Sequence, residues 1–129
     1  MSSENKGNSC ACSAAPKLIF PCSGGSDVGE ITDRAARILT RENIGKMYCL
    51  AGIGGRVSGI VATTEYADKI LAIDGCPLNC AKKTLENAGI TKFDHLCLND
   101  IGLPKAKSPA NETNIKAAVK KCEEILSCN

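Results

Sequence analysis

Three short apolar runs punctuate the chain: Leu18-Ile19-Phe20, Met47-Tyr48-Cys49-Leu50 and Ile70-Leu71-Ala72-Ile73. A lysine precedes each (Lys17, Lys46, Lys69), and glycine or turn residues follow. Near-continuous apolar runs of this length predict strands covered on both faces, as in a parallel sheet. Between them the pattern changes to a helical period. Val28, Ile31, Ala35 and Ile38 fall on one stripe, with Asp27 and Glu30 suited to open a helix and Gly45 beyond its end. Val57, Ile60, Val61 and Thr64 predict a second helix. Pro77 and Gly89 frame a third, with Leu78, Ala81, Leu85 and Ala88 facing inward. Phe93 to Leu98 reads as a fourth strand. After the loop from Gly102 to Ser108, Ser108-Pro109 opens a last helix with Ile115, Val119, Cys122 and Leu126 as its buried stripe.

Strand and helix therefore alternate four times. That rhythm predicts an α/β fold: a small three-layer, Rossmann-like domain with a four-stranded parallel sheet and helices on both faces. Residues 1–16, rich in Ser, Asn, Gly and Ala and carrying Cys10 and Cys12, read as a flexible N-terminal tail. Residues 17–129 read as one α/β domain.

Composition narrows the function classes. The 129 residues carry 16 Lys+Arg against 14 Asp+Glu, a net charge of +2, too even a balance to argue for nucleic acid. No apolar run approaches the roughly 18–20 residues of a bilayer span, so no membrane role is expected. Met1 to Ser13 lacks the apolar centre of a secretory signal, which makes the cytoplasm the expected compartment. Nine cysteines stand beside two Phe, two Tyr and no Trp. An odd number cannot all pair within one chain, and in a reducing compartment clustered thiols bind metal or do redox chemistry.

The cysteine positions gain meaning from the predicted architecture. Cys22 follows the first apolar run, Cys49 closes the second, and Cys76 follows the third, at equal intervals of one strand-and-helix unit. Parallel strands point the same way, so the three thiols are expected at the carboxyl edge of the sheet, where open α/β sheets place their ligands. Cys80 lies one helical turn beyond Cys76. Four sulfurs could thus converge on one centre, the closed shell of structural zinc and also a ligand set for iron–sulfur clusters. The glycines of Ser23-Gly24-Gly25, Gly52-Ile53-Gly54-Gly55 and Gly75 would let backbone N–H groups approach the sulfurs. Arg56, Lys82 and Lys83 are candidates to offset the thiolate charge, and Asp74 reads as a turn or supporting residue rather than a fifth ligand.

Pro21-Cys22-Ser23-Gly24, the stretch Cys49-Leu50-Ala51-Gly52-Ile53-Gly54-Gly55-Arg56, and Ile73-Asp74-Gly75-Cys76-Pro77 with Cys80 together resemble the DGC-domain family, named for its Asp-Gly-Cys tripeptide. The resemblance spans roughly residues 17–127. It implies that Cys22, Cys49, Cys76 and Cys80 chelate one zinc ion.

Three uses of the quartet remain open at this point. The first is a zinc module with a structural, sensing or metal-handling role. The second is a thiol redox or sulfur-transfer enzyme, with Cys76 as nucleophile and Cys80 as resolving thiol. The third is an iron–sulfur protein. The other cysteines read differently: Cys122 and Cys97 as core, Cys128 as inert near the chain end. His95 has no visible partner in the sequence and reads as an ordinary surface or core residue. Gly52-Ile53-Gly54 only begins a dinucleotide fingerprint, because Val57 replaces its third glycine. The helix starts after Gly25 and Gly55 suit a small anionic ligand.

Overall fold

In the computed structural model, which describes residues 15–127, four parallel strands form one sheet in the order β2-β1-β3-β4. The strands are β1 (Lys17–Pro21), β2 (Lys46–Met47), β3 (Lys69–Asp74) and β4 (Asp94–Cys97). Connecting them are α1 (Asp27–Arg41), α2 (Leu50–Gly54), α3 (Ser58–Tyr66), α4 (Cys80–Asn87) and, after a 3₁₀ turn at Leu98–Ile101, α5 (Glu112–Leu126). The expected α/β architecture is present. Cys10, Cys12 and Cys128 lie outside the described residues.

The period-2 alternation of each strand splits its side chains between two cores. Ile19, Leu71 and Ile73 face one layer, with Val28, Ile31 and Ala35 of α1 and Ile115, Cys122 and Leu126 of α5. Leu18, Phe20, Ile70 and Ala72 face the other, with Ile53 of α2 and Ala81 and Leu85 of α4. Both faces of the sheet are therefore dry, which accounts for strands that read as unbroken apolar runs. β1 pairs with both β2 and β3, and the chain reverses its direction of travel across the sheet between β1 and β3. The crevice at such a reversal is where open α/β sheets bind ligands.

Four boundaries differ from the sequence expectation, each for a local reason. The second strand ends at Met47, with one further ladder bond from Tyr48 N to Ile19 O at 2.8 Å, because Cys49 turns the chain into α2. The first helix is capped by Ser26, whose side chain accepts Gly29 N, and not by Asp27. Asp27 instead accepts the N–H groups of Ala106 and Ser108, clasping the 102–108 loop against the start of α1. Those bonds hold its carboxyl below the usual range. The third helix starts at Cys80 rather than Pro77, leaving Leu78 63% exposed instead of inward. The last helix starts at Glu112, where Asn111 accepts Asn114 N at 2.9 Å, while Ser108 is buried in the preceding loop.

Gly75 marks the tightest approach of β3's exit to α1: a Cβ there would stand 2.7–2.9 Å from Val28 side-chain and backbone atoms. Gly24, in the β1–α1 loop, has open space in the same position. Gly75→Ala is expected to cost about 1–3 kcal/mol of stability by overpacking. Gly24→Ala is expected to stay within about 0.5 kcal/mol of the parent. Urea denaturation of the two variants checks the contrast.

Candidate functional site

The carboxyl ends of β1, β2 and β3 each deliver a thiol-bearing segment to the same edge of the sheet. Cys22 is the first residue after β1, and its N–H donates to Ile73 O at 2.9 Å, tying it to β3. Its sulfur lies 3.5 Å from the Thr32 hydroxyl of α1. That hydroxyl donates to Gly29 O at 2.8 Å and accepts Ser23 N at 3.1 Å. Thr32 is fully buried. The signal for it in the sequence was a polar residue on the apolar stripe of α1.

Cys49 is the N-cap residue of α2, its sulfur accepting Gly52 N at 3.3 Å, and it is exposed. A Cβ at Gly52 would press on Ile60 Cδ1 of α3, so a larger residue there requires that side chain to shift. Cys22 and Cys49 line one cleft of about 480 Å³, whose walls also include Met47, Tyr48, Leu50 and Thr84. The Tyr48 ring is held edge-on to buried Phe20, with centroids 6.0 Å apart.

Cys76 and Cys80 belong to the next loop. Cys76 is half-buried against the α1–α5 layer, whereas Cys22 touches the α2–α4 layer. Cys80 opens α4 and is exposed. What fixes this loop is Asp74. Its carboxylate, 2% exposed, accepts Ala81 N at 2.7 Å and Lys82 N at 3.1 Å, capping α4 from the end of β3. The same carboxylate meets His95 Nε2 at 2.8 Å. Asp74 is thus a supporting residue, as expected, and His95 has a partner after all. The separation of 21 positions hid that contact from sequence reading, since it exists only because β3 and β4 pair in register with Ala72 opposite His95.

Asn79, the nominal cap position of α4, is left-handed (φ 57°, ψ 45°) and makes no cap bond, because Asp74 holds the donors it would use. Its side-chain oxygen is buried without a hydrogen-bond partner. Arg56 does not reach the thiols. Its guanidinium bonds Ile53 O at 2.9 Å and Asn87 O at 2.6 Å, at the carboxyl end of α4, opposite to Cys80.

The structure brings all four predicted thiols to one edge, and Cys22 and Cys49 line one cleft there. Among the described residues, no group of three or more His, Cys, Asp or Glu side chains stands ready to hold a metal ion. The donor chemistry suits zinc, since all four thiols are free and none is deeply buried, but a finished coordination shell is not preformed. The other two described cysteines are set apart. Cys97 and Cys122 are buried, and burial pushes both thiols up, Cys122 to about 12. Both were expected in the core.

A parallel α/β sheet with this cysteine-bearing edge places the chain in a definite class. A family model for the DGC domain matches residues 18–122, and the chain belongs to the DGC-domain family. It is 39% identical over 88 residues to the "Anaerobic and virulence modulator AnvM" of Pseudomonas aeruginosa, an alignment covering 68% of this chain and 67% of that protein. No solved structure matches it. Among the described residues, no helix is long and apolar enough to cross a membrane.

The division of the thiols is directly testable. When the folded, metal-free chain is treated with iodoacetamide near pH 8, Cys49 and Cys80 are expected to be alkylated first among the six described cysteines. Cys97 and Cys122 should react only after denaturant is added. Peptide mass mapping over time checks the order, and modification of Cys122 in step with Cys49 contradicts it.

Proposed function

We propose that this DGC domain works through its edge thiols as a metal-responsive module of a reducing compartment, the cytoplasm. In this reading Cys22, Cys49, Cys76 and Cys80 take one zinc ion. The observation that supports it best is the sorting of the cysteines. The four at the strand exits are partly or fully exposed, while those elsewhere in the described fold are buried in the core. Packing alone would favour burial of all six, because free cysteine is among the most buried residue types. Since no three donors among the described residues are pre-arranged, metal binding there entails movement of the loops that carry them, and this suits a sensing or handling role better than a purely structural one.

A second reading uses the same thiols for reversible redox chemistry, and two features favour it. Cys22 and Cys49 already share a cleft. The related Pseudomonas protein is described as an anaerobic modulator, which fits a domain whose thiols respond to oxidising conditions. An iron–sulfur cluster on the quartet would serve such a response as well.

Anaerobic purification followed by elemental analysis and a visible spectrum separates these readings. The expected result is a colourless protein with one zinc per chain. A brown protein containing iron and sulfide would establish the cluster, and a protein free of both would leave the redox reading. Serine at any one of the four positions is expected to reduce zinc retention at least about tenfold, the size of effect typical of disturbed metal sites. Serine at Cys122 or Cys128 should leave the zinc content unchanged.

A further inference from the structure

We propose that Asn79 is a hinge through which zinc binding lengthens α4 by one turn, from Cys80 back to Pro77. The longer helix sets Cys76 and Cys80 one turn apart, on the stripe that faces the cleft of Cys22 and Cys49. The inference rests on the zinc reading of the four thiols and supplies the loop movement which that reading requires.

The chain between Cys76 and Cys80 is already most of a helical turn. Asn79 N donates to Cys76 O at 3.2 Å, and Lys83 N donates to Asn79 O at 2.9 Å. Pro77 suits the first position of a helix, where its missing N–H loses no bond. Leu78 falls on the helical stripe of Ala81 and Leu85, both fully buried. Only Asn79 breaks the run, with φ 57° and ψ 45°. That break leaves Leu78 63% exposed and the Asn79 side-chain oxygen buried without a partner. Turning this one residue from left- to right-handed joins the turn to α4 and carries Leu78 onto the apolar stripe.

Asp74 and His95 permit the exchange. In the short form the Asp74 carboxylate accepts Ala81 N at 2.7 Å and Lys82 N at 3.1 Å. In the long form those N–H groups donate to the carbonyls of Pro77 and Leu78, one helical turn back. The carboxylate, 2% exposed, keeps a partner throughout, because His95 Nε2, 2.8 Å away on β4, lies outside the moving segment.

The gain lies in the placing of the thiols. Thr84 of α4 lines the cleft together with Cys22 and Cys49. Cys80 lies one turn before Thr84, and in the long helix Cys76 lies one turn before Cys80. All three then share a stripe directed at the cleft, whereas in the short form Cys76 packs against the α1–α5 layer. No three donors stand together among the described residues in the short form. An ion that takes both Cys76 and Cys80 therefore favours the long form by its differential affinity, and its departure restores the short one.

The test follows the full chain, isotope-labelled and metal-free, by NMR as zinc chloride is added. The backbone shifts of Asn79 are expected to move from left-handed to helical values, and the Leu78 methyls to become shielded from a soluble paramagnetic probe. Exchange of the Cys80 amide should slow at least about tenfold, because its N–H gains Cys76 O as acceptor. Asn79→Ala, whose Cβ disfavours the left-handed form, should bind zinc at least about threefold tighter than the parent. Asn79→Gly, which favours that form, should bind at least about threefold more weakly. Zinc bound with Asn79 still left-handed and Leu78 still exposed overturns the hinge, as do equal affinities in the two variants. A parent that takes no zinc refutes the zinc reading instead, and the metal-free variants then decide the hinge. Slower Cys80 exchange in Asn79→Ala than in Asn79→Gly supports it, and equal exchange overturns it.

Discussion

Parallel pairing of β1 with strands on both its sides is the constraint on which everything else rests. Because β1, β2 and β3 all run the same way, every loop that follows them emerges at one edge, whatever its length. The pairing in turn depends on two dry faces: Leu18 and Phe20 against one helix layer and Ile19 against the other, all essentially without solvent exposure. Burial on that scale is worth about 1.5–3 kcal/mol for each large apolar side chain. The edge is therefore rigid where strands end, and Cys22, Cys49 and Cys76 sit one or two positions beyond that rigid frame. Such a division between a stiff sheet and short functional loops is how α/β folds host their sites.

Within the frame, the loops are held in different ways. The Cys22 loop is fastened through Thr32 and through Ile73 O, and the Cys49 loop through its own capping sulfur. The Cys76–Cys80 loop depends on one buried carboxylate, Asp74, which reaches seven residues forward to cap α4 and sideways to His95 on β4. The Asp-Gly-Cys tripeptide thus has a physical reading residue by residue. Asp74 anchors the following helix, Gly75 lets the strand exit pass Val28, and Cys76 is the thiol so presented. Asn79 turns the chain into α4 in the left-handed conformation, which asparagine adopts more readily than most residues, and its side-chain oxygen is buried without a partner.

Much of this was legible in the chain. The three apolar runs placed the strands, because strands buried on both faces need no polar alternation to reveal them. The stripes through Val28, Ile31 and Ala35 and through Ile115, Cys122 and Leu126 placed the two helices of one layer. Equal spacing of Cys22, Cys49 and Cys76 disclosed the edge. What stayed hidden depended on tertiary contact. Leu78 looked like part of a helix face, but Asp74 starts α4 at Cys80 and leaves Leu78 in solvent. His95 looked alone because its partner arrives through strand register. That Cys22 packs against one helix layer and Cys76 against the other, while Cys22 and Cys49 line one cleft, is not carried by spacing alone.

The central claim is that the four edge thiols form one working site. X-ray absorption at the zinc edge of the reconstituted full chain tests it most directly. The account predicts four sulfur scatterers near 2.3 Å, the usual zinc–thiolate distance, falling to three when Cys49 is replaced by serine. A shell dominated by nitrogen and oxygen, or one unchanged by that replacement, would contradict it.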